Sequence, residues 1–317
     1  MTVDGTSNEW IQGGSMASKI IRFVFLFLLL VFFVIPRLHA SEAETSASLP
    51  LSSASRLNSP YIVLWNRNFD TAPVDKFVAL ALAKTQDLYP ATEVRKSTPM
   101  EQGEAIADLT NGSVLDVMSA ASSVHDENFL TLSFPILKGL LGKRVCLIRK
   151  GEQSRFDLIR TAFDFAQSEL SICQGSDWPD TDILKRNGLH VATSAYYQEL
   201  FTMLKRGDCD CFLRGAQEVM PEYQRHQSWL ALEEALLIQY SQPGVIYVRK
   251  SNPELAARLE LGLLRAFDDG SYQQLLNREL GDSLSRLKLN QRRRILINNP
   301  APSRALEKIH RIKAFDS

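Results

Sequence analysis

The stretch LFTMLKRGDCDCFLRG, residues 200–215, decides how the chain is read. It closes a helix that begins near Tyr196, turns at Gly207-Asp208 and enters an apolar strand, CDCFL (209–213). A helix leading straight into a strand is half of an α/β unit, whose partners belong on its flanks. Upstream, SICQGSDW (171–178) is a strand ending in a turn, 180–186 a short helix closed by Asn187-Gly188, and LHVAT (189–193) another strand. Downstream, 216–225 is helical.

Further out, the alternation continues in both directions. YIVLW (61–65) is a short apolar run between Pro60 and Asn66-Arg67-Asn68, as a buried strand requires. Val74, Phe77, Val78, Ala81, Leu82 and Leu88 then follow helical spacing up to Pro90. TEVRKS (92–97) is a second strand, 100–109 a second helix and VLDVMSA (114–120) a third strand after Asn111-Gly112. This order predicts a parallel sheet covered on both faces. Two segments stand between the α/β units. FPILKGLLGKRVCLIRKG (134–151) carries Gly139 and Gly142 before a strong strand, and LLIQYSQPGVIYVRK (236–250) is a long strand broken at Pro243-Gly244. They are read as an outward and a return crossing between two lobes. Residues 156–165 are expected to be helical, as are 253–267 and 272–280, the last two separated by Asp269-Gly270.

The order of elements over 60–282 resembles that of the type 2 periplasmic solute-binding proteins, family 3 group. NPELAARLELGLLRAFDDGSYQQLLNREL (252–280) is similar to that family's closing helix, Asp-Gly turn and helix, and 200–215 to its helix, Gly-Asp turn and strand. The resemblance implies two lobes, 60–138 with 244–282 and 139–243, joined by two hinge strands around a central cleft, with 283–317 as a tail beyond them. It implies a small polar ligand held in that cleft, hinge closure upon it, and delivery to the membrane components of an ABC transporter or to a sensor. The chain departs from the family in two places. Residues 123–128, SVHDEN, lack the Arg that grips a ligand carboxylate, and Arg214-Gly215 stands where a carboxylate for a ligand ammonium is expected. Both departures argue against a standard α-amino acid and for a divergent branch.

The amino terminus predicts export. FVFLFLLLVFFVI (23–35), preceded by Lys19 and Arg22 and followed by Leu38-His39-Ala40, has the three parts of a signal peptide over residues 1–40, with Met16 as an alternative start. The apolar run is short for a membrane span, which takes roughly 20 residues. An uncleaved anchor with the same body outside is the competing reading. Residues 41–59, rich in Ser and Ala, read as a flexible leader, and no Cys follows the signal for lipidation. A periplasmic monomer is the expected product.

Composition narrows the rest. With 36 Lys+Arg against 36 Asp+Glu and no long basic run, the chain lacks the field that nucleic-acid binding needs. The five His show no paired spacing, so neither a metal nor another cofactor is expected. Four Cys in an oxidising compartment invite disulfides: Cys209 and Cys211 would share one face of a strand, Cys173 is a partner for one of them, and Cys146 in RVCLI reads as a small buried apolar residue. No nucleophile elbow, zinc-protease, phosphate-loop or dinucleotide motif occurs.

Ligands of open α/β sheets sit beyond the carboxyl ends of the strands, so residues there are the candidates. Trp65, Asn66 and Arg67 offer an aromatic face, an amide and a cation, or else a packed ring and a solvated charge. Ser119 and Ser122 offer hydroxyls or turn caps. Asp177 and Trp178 follow a Gly-containing turn, with Asp177 or Asp180 the expected cap of the next helix. Arg214 is the cation favoured for an acidic ligand, against an ion pair with Glu218; Arg144 is a second cation. Glu218 as a general acid, in a dehydratase or lyase on the same fold, is the alternative to a pure binder, and a sensory or interaction module is a third reading carried by the basic tail around Arg292-Arg293-Arg294.

Overall fold

The computed structural model describes residues 59–299. The segment expected to be a signal peptide, nearly all of the expected leader and residues 300–317 of the expected tail lie outside the described residues. Along the chain run β1 (Tyr61–Leu64), α1 (Arg67–Asp70), α2 (Val74–Ala83), β2 (Glu93–Lys96), α3 (Gln102–Asn111), β3 (Val117–Ala121), β4 (Leu130–Thr131), β5 (Lys143–Arg149), α4 (Ala162–Gln167) and β6 (Ser171–Gly175). There follow α5 (Pro179–Arg186), β7 (His190–Ser194), α6 (Tyr197–Arg206), β8 (Cys211–Gly215), α7 (Val219–His226), β9 (Leu230–Leu232), β10 (Leu236–Gln239), β11 (Gly244–Val248), α8 (Pro253–Asp268), α9 (Ser271–Leu287) and β12 (Arg293–Leu296).

The strands form two sheets, ordered β2-β1-β3-β11-β4 and β12-β10-β5-β8-β6-β7, with β9 on the other end of β5. Each sheet is the frame of one lobe. Within each, the strands joined by local helices are parallel: β2, β1 and β3 in one, β8, β6 and β7 in the other. The expectation of a purely parallel sheet fails where the chain changes lobe. β11 arrives from the second lobe and runs antiparallel to β3, and β5 arrives from the first and runs antiparallel to β8. A strand that enters from the opposite side of the cleft is forced into the opposite direction.

The two crossings are hydrogen-bonded to each other. Ile136 donates to the Gly244 carbonyl at 2.9 Å and Tyr240 to that of Gly142 at 3.1 Å. A Cβ on Gly142 would stand 2.3 Å from the Tyr240 carbonyl oxygen, so the close approach requires glycine. Beside it the backbone takes positive φ at Leu137 and Lys138, where side chains rarely sit, and the Leu137 amide is held by the Tyr272 hydroxyl at 3.1 Å. Beyond α9 the chain crosses once more. Arg292 donates to the Leu287 carbonyl at 2.7 Å and also to those of Glu233 and Leu236, and β12 then pairs in parallel with β10.

Several local departures have clear causes. The helix expected up to residue 89 stops at Ala83, because the Thr85 hydroxyl bonds the Ala81 and Leu82 carbonyls and Arg265 of α8 takes that of Lys84 at 2.8 Å. Helix α4 starts only at Ala162, where Thr161 and Asp164 form a capping box. Strand β8 begins at Cys211, two residues later than expected, so Cys209 escapes the strand's alternation and packs on the other face of the sheet. Cys173 bonds Cys209 and Cys146 bonds Cys211, with Cα separations of 5.6 and 5.1 Å. Cys146 is therefore half of a cross-link rather than a small apolar filler: the register that sets Cys146 opposite Leu213 places it diagonal to Cys211 on the same face.

Candidate functional site

A cleft with a cavity volume of about 100 Å³ opens where the carboxyl ends of β1, β3, β6 and β8 meet the crossings. One wall carries Trp65, Arg67, Asn68 and Ser119, with Glu101 and Gln102 at the start of α3. The other carries Arg144, Trp178, Tyr197, Arg214 and Glu218, with Asp180 in the first turn of α5 and Gln217 ahead of α7. Ile136, Leu137, Leu141 and Gly244 supply an apolar floor at the crossings.

The second wall is a chain of alternating charges. Asp180 contacts Arg144 and the Tyr240 hydroxyl; Arg144 lies 3.6 Å from Glu218; Glu218 lies 3.1 Å from Arg214. Arg214 then grips Glu222 with two bonds of 2.7 Å, and the Tyr197 hydroxyl donates to Glu222 at 2.6 Å. Both guanidinium groups lie deep, with Arg144 2% and Arg214 4% exposed. Burial works against these cations, but Asp180, Tyr240 and Glu218 hold Arg144, and Glu218 and Glu222 hold Arg214, above the ordinary arginine pKa. Burial and the nearby Glu222 carboxylate push the Tyr197 phenol upward, so it stays a donor. The Arg214 guanidinium also lies 4.8 Å from the Trp178 ring centroid.

The local sequence explains why carboxylates collect here. Glu101 is the N-cap of α3, Glu218 that of α7, and Asp180 and Glu222 lie in the first turns of α5 and α7. The positive end of a helix favours a negative group at each position. The protein thus fills from within the places where an anionic ligand would be stabilised. Some polar atoms remain unmatched: Arg144 Nε, Gln217 Oε1 and Gln242 Nε2 are buried without a hydrogen-bond partner.

Of the candidates named from sequence, Trp65, Arg67, Ser119, Arg144, Trp178, Arg214 and Glu218 line the cleft together. Asn66 does not; its side chain accepts the Met100 amide at 3.0 Å and braces the turn after β2. Ser122 donates to Asp126 at 2.8 Å in a buried turn. Asp177 is exposed and faces Gly103 of α3. Neither Asp177 nor Asp180 caps α5 with its side chain: Trp178 is the N-cap, and Asp180 is engaged by Arg144. Sequence reasoning passed over Glu101, Tyr197 and Gln217, although Glu101 and Gln217 stand between a strand's carboxyl end and the next helix and Tyr197 opens the helix after β7.

No protein-family model matches the chain, and no curated protein matches it. Solved structures do. A P235GK mutant of the arginine-binding protein ArgBP from T. maritima superposes with a TM-score of 0.54 at 17% identity, over 72% of this chain and 99% of that one. The amino acid ABC transporter substrate-binding protein AbpA from Streptococcus pneumoniae, bound to L-arginine, gives 0.54 at 16%, over 73% and 99%. An ancestral amino-acid-binding protein described as a precursor of cyclohexadienyl dehydratase gives 0.52 at 15%, over 72% and 99%. The chain has the two-lobed fold of the type 2 periplasmic binding proteins.

Proposed function

We propose that the protein is an exported solute-binding protein that holds a small polar molecule between its lobes and presents the closed form to a transporter or sensor. One observation carries this reading: strand ends and helix starts from both lobes converge on a single cleft that is aromatic, densely charged and floored by the crossings. Amino-acid-binding proteins among the structural neighbours support it. Two disulfides support an oxidising, extracytoplasmic location, and no helix among the described residues is long and apolar enough to cross a membrane.

The ligand is small, since a cavity of about 100 Å³ holds a few non-hydrogen atoms beyond what waters would fill. An anionic ligand is disfavoured, because Arg67, Arg144 and Arg214 all have carboxylate partners already. The protein performs no covalent chemistry in this reading. Both Glu218 oxygens are taken up, by Arg144 and the Gly215 amide on one side and Arg214 on the other, as befits a structural counter-ion.

The test is a melting-temperature screen of the purified protein against amino acids, amines, organic acids, sugars and short peptides, followed by tryptophan fluorescence for each hit. A ligand at a hundred times its Kd stabilises by about 2.7 kcal/mol. Because Trp65 and Trp178 line the cleft, a true ligand changes emission, and Trp178→Phe removes most of that change. Hits that leave emission untouched, or bind equally after Gln217→Ala and Trp178→Phe, place the ligand elsewhere.

A further inference from the structure

Arg67 belongs to the single helical turn that follows β1, yet its guanidinium lies over the ring of Tyr197 from the opposite wall, 3.6 Å from the centroid. One of its nitrogens meets Glu101 at 2.9 Å, and the other Glu101 oxygen lies 3.4 Å from the Tyr197 amide. An aromatic face and a carboxylate, one from each wall, therefore enclose a planar cation. The Arg67 side chain is only 14% exposed, so the cation is largely withdrawn from water.

The other two cleft arginines cannot leave their places. Arg144 and Arg214 sit within strands, buried, with carboxylates on either side. Of the three, Arg67 stands on a short turn and pairs with Glu101. Removing its charge would leave Glu101 and the Tyr197 face without their cation, in a cleft where Asp180, Glu218 and Glu222 already outnumber Arg144 and Arg214.

We propose that Arg67 is the resident occupant of an organic-cation subsite formed by the Tyr197 ring and the Glu101 carboxylate, and that a small ligand bearing a guanidinium-type group enters by displacing it. The subsite holds the walls together when no ligand is bound. The displacement step rests on the solute-binding reading above; the subsite itself does not.

Methylguanidinium tests it directly. In Arg67→Met the vacated place accepts the free cation, giving a saturable rise in melting temperature of about 2 °C or more at millimolar concentration. Unmodified protein shows a smaller rise, because Arg67 must first be displaced, and Arg67→Met/Glu101→Gln shows none, with sodium chloride matched throughout. Absence of the rise in Arg67→Met, or an equal rise in all three proteins, overturns the proposal. Should Arg67→Met not fold, Tyr197→Leu keeps the question open to measurement: spin labels on the two lobes should report a broader, longer separation than in unmodified protein, and an unchanged distribution overturns the proposal. A screen that finds a solute while Arg67→Met ignores methylguanidinium removes the subsite and leaves the solute-binding reading standing.

Discussion

Removing the Glu222 carboxylate is the most demanding perturbation of the cleft wall. The side chain is fully buried and accepts three bonds, two from Arg214 at 2.7 Å and one from the Tyr197 hydroxyl at 2.6 Å. Glu222→Leu keeps the bulk but leaves a guanidinium and a phenol facing an apolar group. Breaking a buried pair from one side costs about 3–5 kcal/mol, because the remaining charge stays out of water. At about 2–4 °C per kcal/mol for a chain of this size, the melting temperature should fall by roughly 6–20 °C. Arg214→Met should cost a similar amount, as it strands Glu222 and weakens the hold on Glu218. The double variant should recover much of the loss, since both ends of the pair are then apolar, and the coupling read from urea denaturation should be about 1.5–3 kcal/mol. Singles costing under about 1 kcal/mol, or strictly additive losses, would refute a desolvated pair and mean that water reaches the wall.

The purified protein should show no free thiol after denaturation, and replacing either cysteine pair by alanine should cost up to about 4 kcal/mol, given closed loops of 65 and 36 residues; a thiol titrating under those conditions would contradict the pairing. A Cβ on Gly262 would stand 2.0 Å from the Ala81 carbonyl oxygen, so Gly262→Ala should force α8 off α2 and destabilise by at least about 1–3 kcal/mol in chemical denaturation. Burial raises the phenols of Tyr197, Tyr240, Tyr247 and Tyr272 in the folded chain, so the unfolded chain loses these protons first. Stability should be unaffected by them below about pH 10 and fall as pH rises beyond it, with their tyrosinate absorbance at 295 nm appearing only with unfolding. Titration of these four phenols in the folded protein near pH 10 would show that their sites are wet.

Much of the architecture was legible because it rests on local patterns. The Pro243-Gly244 break marks the point where one chain leaves one sheet and joins another, and Gly142 marks the matching approach on the outward path. What escaped depends on distant contacts. The early stop of α2 is imposed by arginines about 180 residues away on α8, and no window around residue 83 contains them. The strand direction of β5 and β11 follows from which lobe each comes from, which spacing alone does not state. In the cleft, the strand-end rule located six lining residues and the first crossing pointed to Arg144, but the pairing of Arg214 with Glu222, one turn beyond Glu218, required the geometry of the turn at Gly215 to Glu218. Cys146 was misread because a lone cysteine in an apolar strand looks the same whether or not a partner lies diagonally across the sheet.

The last passage of the chain, from α9 into β12, bears on how such a protein can move. β12, β10 and β5 are consecutive in the second sheet, and each is joined directly to a segment of the first lobe. Neighbouring strands stand about 4.8 Å apart, so the three attachments form a row roughly 10 Å wide. A body fastened along a row swings about that axle and resists skewing across it, as a lid on a piano hinge does. Opening should therefore be a nearly pure rotation in one plane, and cutting the chain between Leu287 and Arg293 should release a sideways roll that the intact molecule lacks.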